Sequence, residues 1–224
     1  MEYPKIAFTI TTFNRLSLFI RTIDTFMNTC LDKDLISDWI IGDDGSSDYD
    51  LSQIQSLYPF FTIHKNLKKG QASNLNNIFS KVKTEWLFHC EDDWLFLKKD
   101  SYIRKLFDVA FEDRGIKNIT LKNYSSMDRR VTRTGIKYSV DYHTSPRDWY
   151  GFTLNPGLQH RPTLLSLGMF DEDAEINNRK WDRKTSKAYE DAGYRRANLL
   201  EGYIQHIGQD SAYLFRGGSC DIRD

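Results

Sequence analysis

Three consecutive carboxylates, Glu91-Asp92-Asp93, follow the apolar, aromatic-rich run Trp86-Leu87-Phe88-His89-Cys90 and precede Trp94. Such a run reads as a short buried strand, so the acids stand where the strand ends. Clustered carboxylates repel one another, and burial adds a desolvation cost. A hard divalent cation, Mn²⁺ or Mg²⁺, relieves both, because it takes one or two carboxylates together with phosphate oxygens. Two further polar stretches follow apolar runs: Thr11-Thr12-Phe13-Asn14-Arg15 and Asp43-Asp44-Gly45-Ser46-Ser47-Asp48. A carboxylate in such a place accepts hydrogen bonds from N–H and O–H donors. Together these residues suit a diphosphate with a cation at its phosphates. Plainer alternatives exist: a solvated acidic loop at 91–93, and a backbone turn at 43–45 that uses Asp and Gly for conformation. The bulky Trp94-Leu95-Phe96 directly after the triplet argues against simple solvation.

These groups need elements to bring them together. Residues 6–12 are β-branched and apolar, as in a buried strand of a parallel sheet. Asn14 is placed to cap a helix whose apolar face is Leu16, Phe19, Ile20, Ile23, Phe26, Met27 and Cys30. Short strands are predicted at 39–41 and 60–63, and Gly70 introduces a helix with Ala72, Leu75, Ile78, Phe79 and Val82 on one face. Strand and helix thus alternate four times before residue 93, which predicts a parallel α/β sheet with right-handed crossovers. In such sheets ligands bind at the carboxyl ends of the strands, so the three polar stretches converge on one edge. Beyond Asp93 the rhythm loosens. A helix is predicted near 102–110, a strand at 116–121, and a half-exposed antiparallel strand at 136–143. Short helices follow at 162–170 and 180–192, then a strand at 203–207.

The 224 residues suit one sizeable domain. Thirty-one basic and 31 acidic side chains balance, which argues against a nucleic-acid partner held by a basic field. Cys30, Cys90 and Cys220 are few, odd in number and widely spaced. They point to buried thiols in a reducing compartment, not to a disulfide framework or a zinc site. With no signal peptide and no apolar stretch long enough to span a bilayer, the expectation is a soluble, cytoplasmic protein without an integral membrane segment.

The order of the motifs resembles the family 2 type glycosyltransferases of the GT-A fold. The likeness rests on Ile10-Thr11-Thr12-Phe13-Asn14-Arg15, on Asp43-Asp44-Gly45-Ser46-Ser47-Asp48, and on Lys69-Gly70-Gln71-Ala72-Ser73-Asn74-Leu75. It continues through Glu91-Asp92-Asp93, Gly168-Met169-Phe170-Asp171-Glu172-Asp173 and Ala192-Gly193-Tyr194. The resemblance implies a GT-A-like, Rossmann-type mixed sheet, mostly parallel and flanked by helices, with an irregular acceptor-side second half. It implies one domain over 1–224, with a nucleotide-binding half to residue 93 and an acceptor-binding half from residue 94. It implies a nucleotide-sugar donor, most often UDP-linked, and a carbohydrate or other hydroxyl acceptor.

Site roles follow from the same resemblance. Thr11, Asn14, Arg15, Asp43, Asp44 and Asp92 match nucleotide-binding positions. Asp93 and the late His206 match metal-holding ones, for Mn²⁺ or Mg²⁺. Counting back from Ala192 reaches Trp181-Asp182, which makes Asp182 the candidate base for an inverting transfer, with Asp173 and Glu175 as rivals. Trp181 replaces an acid there, and an indole can stack on an acceptor sugar. Arg129, Arg130, Arg133 and Arg216 are candidates to meet the leaving diphosphate, or are ordinary surface charge. Asn155-Pro156-Gly157 matches a loop near the donor sugar, and it also reads as a plain turn. Two other functions share these features. A nucleotidyltransferase also joins an α/β sheet to carboxylate-bound Mg²⁺, but 11–15 lacks the glycines of a phosphate loop. A non-catalytic nucleotide-sugar-binding protein would keep the donor site without the base.

Overall fold

The structure is a computed structural model that describes residues 2–67, 70–123, 128–141, 150–173 and 181–208. The first part alternates strictly: β1 (Ile6–Thr12), α1 (Leu16–Thr29), β2 (Ile36–Asp43), α2 (Asp48–Leu57), β3 (Thr62–Lys65), α3 (Gln71–Lys81) and β4 (Trp86–Glu91). Next come β5 (Trp94–Phe96), α4 (Tyr102–Glu112), β6 (Ile116–Thr120), β7 (Asp128–Val131) and β8 (Lys137–Val140). The last described elements are β9 (Gly157–His160), α5 (Arg161–Ser166), α6 (Trp181–Asp191), β10 (Arg195–Leu199) and β11 (Ile204–His206). Nine strands form one sheet in the order β3-β2-β1-β4-β9-β6-β10-β8-β7, and β5 pairs with β11 in a separate ribbon. The four strands of the alternating part are mutually parallel. β9 runs antiparallel between β4 and β6, which leaves β6 and β10 pointing the same way as β4.

Both faces of the sheet are covered, which is why β1 is buried along its whole length. Ile6, Phe8 and Ile10 belong to one core with residues of α1, α2 and α4, whereas Ala7 and Leu87 belong to a second with residues of α3, α5 and α6. The register sets Thr12 beside Asp43 and Thr11 beside Glu91. The carboxyl ends of β1, β2 and β4 therefore form one edge.

Several local expectations change. The third strand starts later, at Thr62, and β5, β7, β9 and β10 are additional. Strand β8 is not half-exposed: Lys137 is exposed but Ser139 is fully buried, because the sheet is covered there on both sides. The predicted positions 142 and 143 lie outside the described residues. Asn155-Pro156-Gly157 leads directly into β9, and Pro156 accepts bonds from the Leu121 N–H and the Thr120 hydroxyl. Gly157 is needed there, since a methyl group on it would collide with the Ile119 carbonyl oxygen and lie 2.7 Å from Thr120 Cα. Both are backbone atoms that cannot rotate away. Gly157→Ala is expected to destabilise the fold by about 3 kcal/mol, read as a lower urea midpoint with an unchanged slope. No helix among the described residues is long and apolar enough to cross a membrane.

Candidate active site

Two loops at the sheet edge are tied together by short polar side chains. Asn14 has φ 50°, a left-handed conformation that Asn tolerates better than most residues. Its backbone N–H donates to Ser46 Oγ at 2.9 Å, and its Oδ1 accepts the Ser47 N–H at 3.1 Å. Asp43, fully buried, folds back on its own loop and accepts the N–H groups of Gly45 and Ser46. Both of its oxygens are thereby occupied by the turn. Asp44 faces the other way and accepts the Gly70 N–H at 2.8 Å and Asn66 Nδ2 at 2.7 Å. Gly70 has φ 118°, so only glycine readily presents its N–H there. Asn74, one turn into α3, donates to the Gly42 carbonyl of β2 at 2.9 Å. The Gly70–Asn74 spacing thus locks α3 onto the strand that carries Asp43 and Asp44; Lys69 lies outside the described residues.

The acidic triplet is held from four directions. Thr12 donates to Asp92 Oδ2 at 2.7 Å. Arg15 Nη1 donates to Asp92 Oδ1 at 3.3 Å and to Asp93 Oδ2 at 3.0 Å. His206 Nε2 lies 3.3 Å from the same Asp93 oxygen, brought there by the β5–β11 ribbon, which pairs His206 with Trp94. The Ile207 N–H donates to the Asp93 carbonyl at 2.8 Å, and the Trp94 N–H donates to Thr22 of α1 at 3.1 Å. Glu91 stands apart, its Oε1 accepting from Gln71 Nε2 at 2.6 Å. Thr11 is buried at the end of β1, so the hydroxyl that reaches the acids is that of Thr12.

These residues fit a divalent cation. Asp93 Oδ1 is buried without a hydrogen-bond partner, an orphaned acceptor beside the Asp93–His206 pair. Gly208 closes the pocket behind them: a methyl there would collide with Asp93 Oδ2 and sit 3.0 Å from His206 Nε2. Among the described residues no three His, Cys, Asp or Glu side chains form a metal site by themselves. A cation at Asp93 and His206 would draw its remaining ligands from phosphate oxygens or water, as Mg²⁺ and Mn²⁺ do.

The electrostatics carry the same demand for positive charge. Burial, and then the charges of Asp93 and Asp92, push the Glu91 carboxyl up to about 8 from its ordinary 4.5. Burial pushes Asp92 up to about 6, against the Thr12 hydrogen bond and the Arg15 charge. A carboxyl whose folded pKa is raised favours folding fully below its unfolded value, and that share is lost as pH rises through the folded value. In EDTA, Glu91→Gln should therefore melt above wild type at about pH 8, and the gap should close at about pH 4. Equal midpoints at both pH values would remove Glu91 from this balance.

Three neighbours of the acids carry no sequence signal of their own. Phe13 is half-exposed between Thr12 and Asn14, an aromatic face at the carboxyl edge of the sheet. Lys122, just past β6, holds Nζ 5.2 Å from the Trp94 ring centroid, and that ring lies 4.9 Å from the His206 ring. Asn66 joins Asp44 to Ser73 of α3.

Asp182 is half-buried in the first turn of α6, where its Oδ1 accepts the Arg183 N–H at 2.9 Å. Trp181 beside it is buried edge-on against Phe170 at 5.1 Å, so it is a core residue and not a platform for a sugar. Asp173 is exposed, and Glu175 and Arg216 lie outside the described residues. Arg129, Arg130 and Arg133 belong to the β7 edge, five strands from β4, or about 24 Å at the usual strand spacing. Arg130 pairs there with Asp128 and Asp113, and Arg133 with Glu112. The reading of these three as ordinary surface charge is the one that fits. His89, fully buried against Thr9 and Phe79, has its pKa pushed down to about 3 by burial and is a neutral core residue.

Comparison with known proteins bears on the fold and the family. GalNAc-T7, solved with UDP, GalNAc and Mn²⁺, superposes with a TM-score of 0.66 at 13% identity, over 92% of this chain and 44% of that one. Staphylococcus aureus TarS 1-349 in complex with UDP gives 0.64 at 16% identity, over 89% and 59%. The mannosyltransferase PcManGT from Pyrobaculum calidifontis, with GDP-Man and Mn²⁺, gives 0.59 at 17%, over 91% and 59%. The present chain thus spans between 44% and 59% of the length of these proteins. At such identities the likeness is one of fold, the GT-A fold. No curated protein matches the sequence. The family described as Glycosyl transferase family 2 matches residues 8–162, well over half of the chain, in a stretch that ends before Asp182 and His206. This chain belongs to the family 2 glycosyltransferases.

Proposed function

We propose that the protein is a metal-dependent transferase that moves a sugar from a UDP-linked donor to a hydroxyl acceptor with inversion at the anomeric carbon. One observation carries the proposal. Asp44 follows β2 and Asp92 and Asp93 follow β4, on either side of β1, and a separate ribbon delivers His206 to the same Asp93 oxygen as Arg15. UDP in two of the related structures favours that nucleotide, while GDP-Man in a third keeps the base open to test.

In this reading Phe13 stacks on the nucleobase, and Asp44 accepts from its N–H or from the ribose, with Asn14 holding the two loops in register. Asp43 sets the turn, and Thr11 is buried beside Gly42 on the neighbouring strand. Asp93 and His206 would hold the cation, and Asp92, oriented by Thr12, would support it. The bound cation supplies positive charge opposite the departing diphosphate. Arg15 and Lys122 offer further positive charge there. The Asp182 carboxylate takes the acceptor's hydroxyl proton as that oxygen attacks the anomeric carbon. The new C–O bond forms on the face opposite the breaking C–O bond to the diphosphate, and the nucleoside diphosphate leaves.

Thermal melts with UDP-, GDP- and dTDP-sugars, each with and without Mn²⁺, test the donor, because a ligand bound only to the native state raises the midpoint. The expected pattern is stabilisation by a UDP-sugar that depends on Mn²⁺ and disappears in EDTA. Donor hydrolysis that persists undiminished in EDTA would overturn the metal role of Asp93. Pyrophosphate released from a nucleoside triphosphate would show a nucleotidyltransferase instead.

A further inference from the structure

We propose that Arg15 couples metal binding to diphosphate binding. Its guanidinium neutralises Asp92 and Asp93 until a diphosphate takes it over, so the cation binds weakly alone and tightly with nucleotide. This rests on the metal-dependent, nucleotide-sugar reading of the site.

A single guanidinium nitrogen, Nη1, bridges the two acids, at 3.3 Å to Asp92 Oδ1 and 3.0 Å to Asp93 Oδ2. Asp93 Oδ2 is also the oxygen that His206 Nε2 approaches at 3.3 Å. A divalent cation on Asp93 and His206 would thus meet a fixed positive charge on its own ligand oxygen. Like charges that close repel strongly in a partly buried site, so cation and guanidinium compete for the same carboxylates. A diphosphate changes the balance. Its oxygens offer the planar guanidinium fork a bidentate partner and add negative charge next to the cation. Arg15 has room to make that exchange, because its side chain is 38% exposed while those of Asp92 and Asp93 are at 4% and 10%.

The placement of Arg15 in the chain supports this role independently. It is the residue that enters α1, it makes no side-chain cap, and the first turn of that helix carries no acid. A cation at a helix N-terminus opposes the helix dipole, so helix stability does not select arginine there. The two carboxylates supply the compensation, and they are also the groups a metal needs.

Mn²⁺ binding, followed by the electron paramagnetic resonance signal of the free ion, separates the possibilities. Wild type, Arg15→Gln, Arg15→Lys and Asp93→Asn are titrated with and without UDP, with the Mn²⁺–UDP complex in solution accounted for. Melts in EDTA confirm that each variant is folded. Without nucleotide, Arg15→Gln should bind Mn²⁺ about tenfold more tightly than wild type, and Arg15→Lys should stay close to wild type. UDP should tighten Mn²⁺ binding about tenfold or more in wild type and much less in Arg15→Gln, because linkage is reciprocal. Arg15→Gln binding Mn²⁺ no more tightly than wild type, or gaining as much from UDP, would overturn the coupling while the metal site stands. Mn²⁺ binding that is equal in wild type and Asp93→Asn would overturn the metal site itself, and the coupling with it.

Discussion

Asp182→Asn is expected to lower the rate of sugar transfer about a hundred- to ten-thousand-fold, the usual contribution of a positioned general base. The exchange keeps size and shape and removes only the ability to take a proton. The local fold should tolerate it. Asp182 sits in the first turn of α6 with the Arg183 N–H donating to its Oδ1, and an Asn carbonyl oxygen can accept the same bond. The negative charge that Asp182 places at a helix N-terminus is worth about 0.5 kcal/mol when exposed. The variant should melt within a few degrees of wild type, and its affinity for Mn²⁺ and UDP should be unchanged. The sharpest readout is the pH profile of turnover, since the limb that reports the base should vanish along with the rate. Transfer near the wild-type rate would sink the assignment and move attention to Asp173, the exposed acid on the segment before α6.

The second large effect comes from the smallest substitution. Gly208→Ala adds one methyl group that collides with Asp93 Oδ2 and lies 3.0 Å from His206 Nε2. Asp93 has little freedom to retreat, because its backbone carbonyl is held by the Ile207 N–H and its side chain is mostly buried. The pair must separate, and displaced metal ligands typically cost 10- to 100-fold in affinity, a range of about that order. Transfer at limiting Mn²⁺ should fall with it, and excess Mn²⁺ should recover much of the loss. Thermal stability in EDTA should fall as well, by about 1–3 kcal/mol, because the methyl overpacks a side chain that cannot retreat. Unchanged Mn²⁺ affinity in a folded Gly208→Ala protein would exclude Asp93 and His206 as joint ligands.

Local pattern and tertiary contact divide the site between them. Glu91-Asp92-Asp93 was readable as a strand-end cluster because the apolar run before it has the length and composition of a buried strand, and β4 ends at Glu91. Asp43 and Asp44 looked interchangeable in sequence. Their neighbours separate them, for Asp43 closes its own turn while Asp44 reaches Gly70 and Asn66 across the gap to α3. Trp181, a plausible sugar platform from its position near Asp182, proves to be core because Phe170 packs against it. The arginines of 129–133 were candidates only while strand order was unknown. Once β7 lies at the far edge of the sheet, they are too distant.

The sequence alone determined that acids would stand at the ends of β2 and β4, beside the polar end of β1, since alternation of strand and helix is a short-range property of residue spacing. Which atoms meet is a different matter. Thr12 and Asp92 are 80 residues apart, and Arg15 and Asp93 are 78 apart. His206 arrives through a ribbon that pairs β11 with β5. Contacts of that separation depend on the order and register of strands, which packing of the whole sheet sets and no local pattern encodes. The tertiary structure alone therefore decided that Asp93 carries one bare oxygen, Oδ1, and that His206, Gly208 and Arg15 all crowd the other, Oδ2.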